Sequence, residues 1–298
     1  MPPDAAGTVT LGRTLDAAIA RLRASGSETA RLDAELLVAH ALGTDRSTVI
    51  AHPETPLSPA QAGRVQDAVA RRERGEPVAY IRGLKEFHGL ALSVDSRVLI
   101  PRPDTELLVD LGIARAVATI LERGRCRIAD IGTGSGAVGI AVAASLRRRG
   151  MLGVAELLAT DMSADALALA TENAVGHGLA DAIRFARADL LPPGEPPVDV
   201  LLANLPYVPS AELPRLAVAA HFEPALALDG GPDGLAIVRR LLELLPVALR
   251  VRGIALLEIG TGQTDAVRVA ASEAVPSWTL SWHEDLAGIP RVVELAAP

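Results

Sequence analysis

The sequence predicts an α/β protein: a mostly parallel sheet covered by helices on both faces, behind a small N-terminal helical bundle. Three observations carry that expectation. Helical apolar periodicity fills about the first 75 residues, and short apolar strands alternate with helices from about residue 125 onward. A cluster of glycines, Gly132, Gly134, Gly136 and Gly139, directly follows the first of those strands.

In the N-terminal part, TLDAAIARLRAS places Leu15, Ala18, Ile19 and Leu22 on one helical stripe, with Thr14 as its expected N-cap. ARLDAELLVAHAL repeats the pattern through Leu32, Leu36, Leu37 and Leu42, and Gly43 is placed to end it. LSPAQAGRVQDAVARRERG opens with Ser58 as cap and Pro59 at the first helical position, and its terminal Arg71, Arg72 and Arg74 complement the helix dipole. Short β-prone runs around Gly83, Gly89 and Asp95 then suggest a hairpin, and Pro101 and Pro103 delay the next helix to about Thr105. The expected division is a helical domain over 1–78, a hairpin linker over 79–108 and the main domain over 109–298.

Strands are expected at 127–131, 156–160, 183–188, 198–204 and 254–259, with helices between them, notably SADALALATENAVGHG. Nearly continuous apolar strands of this kind belong in a parallel sheet buried on both faces. WTLSWHE and RVVELA, near the end, are separated only by DLAGIP. That loop is too short for a crossover helix, so these two strands should pair antiparallel.

Composition bounds the function. The 298 residues suffice for a large domain plus a smaller module. Apolar residues make up 49% and aromatics only 2%, so aliphatic side chains must fill the core. A net charge of −7 argues against sequence-independent binding to nucleic acid. Cys126 is the lone cysteine, which excludes an internal disulfide and a CxxC metal site; it reads as a small core hydrophobe, and no metal is expected. MPPDAAGTVT has neither the basic nor the apolar region of a signal peptide, and no apolar run approaches the roughly 20 residues that span a bilayer. A soluble, cytoplasmic protein with no membrane partner is expected.

The glycine loop is the first chemical signal. In an open parallel sheet the ligand crevice lies at the carboxyl ends of the strands, where a Cβ-free loop and a helix N-terminus bring backbone N–H groups to a ligand. GSGAVG matches the dinucleotide pattern G-x-G-x-x-G, which alone is weak. Asp130, Gly132, Gly134 and Gly136, with Thr133 and Ser135 between them, match the D-x-G-x-G-x-G loop of S-adenosylmethionine (SAM) enzymes instead. Asp130 discriminates: it would sit poorly beside a pyrophosphate but suits the cationic methionine end of SAM. Asp161 ends the second strand, where ribose hydroxyls would meet a carboxylate, and Asp189 ends the third, near an adenine.

Asn204 is the second signal. It ends the fourth strand, beside the first in the expected order, so its side chain would face a transferable methyl. A conjugated NH2 acceptor has its lone pair delocalised. Two hydrogen-bond acceptors, the Asn204 side-chain oxygen and the Leu205 carbonyl, would draw both hydrogens aside and aim the lone pair. Pro206 restricts Leu205, and Tyr207 is expected to pack on a planar amide.

The blocks GEPVAYIRGLKEFHG, VLIPRPDTELLV, DIGTGSGAVGIAVA, ANLPYVP and HFEPALALDGGPDGL, in this order and spacing, resemble the PrmC/HemK family over about residues 15–295. Those enzymes are SAM-dependent methyltransferases that modify the glutamine amide in the GGQ motif of peptide chain release factors. The resemblance implies a seven-stranded class I methyltransferase fold behind a substrate-binding helical domain, with a release factor as partner. It implies that residues 132–136 and Asp161 bind SAM, that Asp189 and Leu190 lie by the adenine, and that residues 204–207 grip the acceptor. It places Arg102, Pro103 and Glu106 in the linker block near the site. The family usually has N-P-P-Y, whereas Leu205 stands second here. N-L-P-Y is also similar to the motif of ribosomal RNA adenine dimethyltransferases, which leaves nucleic-acid adenine as an alternative substrate. A small guanidino or amide compound, such as free arginine, is another, for which Glu223 or Glu258 would supply the pairing carboxylate.

Overall fold

Residues 9–298 are described by a computed structural model. The first eight residues, which belong to the stretch read for a leader, lie outside the described residues. The chain forms two compact units: one takes the chain up to Leu84 together with Ala217–Phe222, the other Lys85–Leu216 and Glu223–Pro298. The short Ala217–Phe222 segment of the first unit carries no helical or strand periodicity that would have assigned it there.

The smaller unit holds α1 (Leu11–Ala24), α2 (Ala30–Leu42), α3 (Arg46–Ala51), α4 (Pro59–Glu73) and α5 (Val78–Arg82). Leu11, Ala18 and Leu22 of α1 pack with Leu37 and Val38 of α2 and Val65 and Val69 of α4. Thr10, not Thr14, caps α1: its hydroxyl accepts the Arg13 N–H, while Thr14 is already helical and donates its hydroxyl to the Thr10 carbonyl at 2.9 Å. Ser58 opens α4 with a reciprocal capping box to Gln61, and Gly43 ends α2 in the left-handed region with φ +68°.

In the larger unit, the hairpin β1 (Leu84–Phe87) and β2 (Leu90–Ser93) leads to α6 (Thr105–Arg123). The sheet follows: β3 (Cys126–Ile131), β4 (Ala155–Asp161), β5 (Ile183–Arg187), β6 (Val198–Ala203), β7 (Leu249–Glu258), β8 (Thr279–Glu284) and β9 (Pro290–Ala296). Its helices are α7 (Ala137–Arg148), α8 (Ala164–Gly176), α9 (Ala236–Ala248) and α10 (Thr264–Ala274). Strand order is β5-β4-β3-β6-β7-β9-β8, parallel from β5 to β7, with β9 antiparallel to both neighbours. β7 begins five residues before the run that the sequence marked, because Arg252 (φ +60°) and Gly253 interrupt the apolar pattern there and the pairing to β6 shifts register.

Alternation along β6 divides the core. Val200 and Leu202 face α6 and α7, whereas Leu201 and Ala203 face α9 and α10. Gly112 of α6 lets that helix lie directly on Leu202. Cys126 is buried in the first of these layers, and burial pushes its thiol up to about 12, so it behaves as a hydrophobe. No helix among the described residues is long and apolar enough to cross a membrane. Leu202→Ala, in the central strand with no exposed surface, is expected to cost about 3 kcal/mol of stability. A urea unfolding series checks it: the midpoint should fall with the slope unchanged.

Candidate active site

Because β3, β4, β5, β6 and β7 run parallel, their carboxyl ends meet along one edge of the sheet. The loops leaving them enclose a cavity whose walls include Asp130, Gly132, Thr133, Gly134, Ser135, Asp161, Asp189, Leu190, Asn204, Leu205 and Pro206. Arg102, from the segment before α6, and Thr105, the first residue of α6, close another side.

Two carboxylates tie down the glycine loop. Asp130, at the end of β3 and 3% exposed, accepts from Thr133 Oγ1 at 2.6 Å and from the Gly139 N–H at 2.9 Å, both on Oδ2. Gly139 eases that approach, since a Cβ there would lie 3.1 Å from the same oxygen, a tight contact. Asp161, at the end of β4, accepts the Gly134 N–H on Oδ2 and the Ser163 N–H on Oδ1, each at 2.9 Å. An ionised carboxylate has about four lone-pair sites, so these bonds leave Asp161 capacity for further donors. Gly136 begins α7 at φ +81° and does not line the cavity.

Asp189 pairs with Arg240 at 2.6 Å on the cavity wall. Leu190 adopts φ +68°, a left-handed conformation costly for a leucine, and is held there by a 2.6 Å bond from Thr160 Oγ1 to its carbonyl. Backbone strain of this kind is concentrated where the chain must present a fixed surface.

Asn204 follows the end of β6, and its Nδ2 donates to Thr105 Oγ1 at 3.0 Å. Leu205 is 5% exposed, with its side chain pressed against Gly132. Tyr207 lies outside the cavity lining: its ring packs on Gly260, and its carbonyl accepts from Gln263 Nε2 at 3.0 Å. The turn is braced from behind by residues 228–235, where Val208 exchanges backbone bonds with Leu228 and Gly230 and Gly234 passes too close to the Tyr207 carbonyl to carry a Cβ. Pro103 and Glu106 also lie outside the lining; Glu106 accepts the His88 N–H at 2.8 Å and so holds the β1–β2 hairpin.

Glu223 lies outside the cavity lining and its charge is already matched within the chain. Arg102 Nη2 meets its Oε2 at 2.5 Å and the Ile100 N–H donates to its Oε1. Residues 121 apart in sequence make this pair, and nothing local to either one signals it.

Several contributors were not singled out from the sequence. Thr105 sits inside the IPRPDTE block, which was the available signal. Asn173 of α8, 4% exposed, donates to the Ser135 carbonyl and to Ser93, joining glycine loop to hairpin. Gln263 follows β7 in an I-G-T-G-Q turn much like the one after β3.

Burial pushes Asp130 up to about 6, the hydrogen bonds from Thr133 and Gly139 offsetting part of the shift and the Asp161 charge adding to it. With a native pKa above its ordinary 3.8, Asp130 contributes stability that is complete below that value and lost as pH rises through about 6. The loss is on the order of 3 kcal/mol. Asp130→Asn is therefore expected to exceed the wild type in stability at about pH 8 and to match it near about pH 4, by urea midpoints. The same difference at both pH values would contradict this assignment.

Comparison with known proteins is consistent with this geometry. Residues 13–83 match the PrmC N-terminal domain model and residues 107–228 the methyltransferase small domain model. A release factor glutamine methyltransferase of Moorella thermoacetica is 43% identical over 265 residues, covering 87% of this chain and 89% of the relative. One of Bradyrhizobium diazoefficiens is 40% identical over 278 residues, 92% and 90% of the two chains. Among solved structures, the hMettl16 catalytic domain in complex with MAT2A 3'UTR hairpin 1 aligns with a TM-score of 0.54 at 16% identity, over 80% of this chain and 83% of that one, a likeness of fold alone. Identity at this level over almost nine-tenths of both chains, together with a sheet whose parallel strand ends carry the SAM-type glycine loop and the asparagine turn, means that the chain belongs to the release factor glutamine methyltransferase family.

Proposed function

We propose that this enzyme transfers a methyl group from SAM to the side-chain amide nitrogen of the GGQ glutamine in a peptide chain release factor. The observation that carries the reading is the state of Asn204. Its NH2 is held by Thr105, so its carbonyl oxygen is the end left for a ligand in the cavity. SAM, when bound, supplies a methyl carbon on a positively charged sulfur.

The chain's residues do the rest. Asn204 Oδ1 and the Leu205 carbonyl accept one N–H each from the acceptor amide. That fixes the plane of the NH2 group, turns its lone pair toward the methyl and stabilises the positive charge that develops on nitrogen. As the N–C bond forms the C–S bond breaks, leaving neutral S-adenosylhomocysteine, and the surplus proton on nitrogen is lost to water. Both are preorganised. Pro206 restricts the Leu205 backbone, and burial of the Leu205 side chain against Gly132 supplies the rigidity that a second proline gives in N-P-P-Y. On the SAM side, residues 132–135, which line the cavity, would border the methionine part, Asp130 would balance its cationic end and Asp161 would accept from the ribose. Asp189 and Leu190 flank the adenine. The residues present fit such a ligand: the cavity is lined by carboxylates suited to its positive charge and hydroxyls and by apolar side chains, Ile237 and Leu226 among them, suited to a base.

For a small guanidino substrate Glu223 is already matched by Arg102, which leaves Glu258 as the candidate pairing carboxylate, and nucleic acid is disfavoured by the net charge of −7. Labelled SAM incubated separately with a purified release factor and with free arginine distinguishes the readings. Label is expected in the GGQ peptide and absent from arginine; the reverse would overturn the proposal. Asn204→Ala is expected to lower kcat about 10²–10³-fold while the Kd for SAM stays within about twofold. Equal loss of both would remove Asn204 from the acceptor role.

A further inference from the structure

Glu258, the last residue of β7, is 4% exposed and has no part in the chemistry described above. Its Oε2 is the one buried side-chain oxygen or nitrogen among the described residues that finds no hydrogen-bond partner. Ala203 and Leu257 are the last paired positions of β6 and β7, so Asn204 and Glu258 come next in line on neighbouring parallel strands. Thr105, 4% exposed, accepts from Asn204, and the Thr105 and Asn204 side chains both act on the Glu258 carboxylate to favour its ionised form.

We propose that Glu258 and Thr105 are positioning residues that decide which end of the Asn204 amide faces the acceptor. A threonine hydroxyl has one proton to give. Thr105 Oγ1 receives the Asn204 N–H, so its own proton must point elsewhere, and a carboxylate, which only accepts, draws that proton toward Glu258. The polarity is then fixed from Asn204 to Thr105 to Glu258, and Asn204 Oδ1 is kept for the substrate. With a neutral donor at position 258 the chain can reverse. Thr105 would then donate to Asn204 Oδ1, and the Asn204 NH2 would oppose the N–H groups of the acceptor. The inference rests on the acceptor role proposed for Asn204.

Burial pushes the Glu258 carboxyl up to about 7, with Asp104 adding to the shift and Thr105, Arg291 and Asn204 opposing it. The charged or titratable groups facing it are Asp104 at the start of α6, Arg291 on β9 and Tyr207 after β6, whose phenol is raised by burial and by Glu258. Protonation of Glu258 in the wild type thus creates the same neutral donor that Glu258→Gln installs.

The test measures SAM Kd, melting temperature and kcat toward a purified release factor for four variants. Glu258→Gln and Thr105→Val are each expected to lower kcat about tenfold or more, with the Kd for SAM within about twofold, and Thr105→Ser is expected to restore most of the rate. The wild-type kcat should fall with decreasing pH through about 7, and Glu258→Gln should lose that limb. Wild-type rates with an unshifted limb in Glu258→Gln overturn the inference. So does parallel loss of SAM binding and rate, which marks a merely structural role. Asn204→Ala separates the two levels: if it alone abolishes transfer, only the relay is wrong, whereas full activity in Asn204→Ala removes the acceptor reading beneath it.

Discussion

The parallel alignment of the central strands is the constraint from which the rest of the structure follows. A sheet covered on both faces by helices has no free face on which to build a site, so polar chemistry is confined to the strand ends. Asp130, Asp161, Asn204 and Glu258 all stand at or just past the carboxyl ends of β3, β4, β6 and β7. Their spacing is set by backbone hydrogen bonds, which hold neighbouring strands roughly 5 Å apart, and no loop has to find it. Preorganisation of this kind is inherited from the register of Ile131 with Ala203 and of Ala203 with Leu257.

That edge also holds desolvated and strained groups. Asp130 is buried and pushed toward its neutral form, Glu258 keeps an unpartnered oxygen, and Leu190 is held in a left-handed conformation. Each is unfavourable to folding on its own and is retained because the surrounding sheet over-determines it. The two aliphatic layers that clamp β3 and β6 provide that surplus, with Ile131, Leu201 and Leu202 showing no exposed surface. Leu205 extends the second layer into the turn itself and makes that turn part of the core.

Much of this was legible from residue order because its causes are local. Glycines directly after an apolar strand, an acid just before them and an asparagine at a strand end are short-range patterns with few physical solutions. The strand–helix rhythm and the final antiparallel pair follow from periodicity and loop length. Local signals compete at α1, where Thr14 and Thr10 both suit a cap and only the start of the helix decides for Thr10. The pairing of Glu223 with Arg102 has no local signature, because the two lie far apart in sequence. Tyr207 is held by Gln263 and Gly260, which β7 brings in from far along the chain. Thr105 and Glu258 were visible as residues, but the contact through Asn204 exists only once three separate segments meet.

The central claim is that the Asn204 turn grips a planar NH2 group through two oxygens. A structure of the enzyme with S-adenosylhomocysteine and a glutamine side chain in the cavity tests it most directly. The account predicts the glutamine amide nitrogen within hydrogen-bond distance, about 3 Å, of both Asn204 Oδ1 and the Leu205 carbonyl, with its carbonyl oxygen turned away from them. An amide bound by its carbonyl oxygen to the Asn204 NH2, or seated away from the turn, would contradict it.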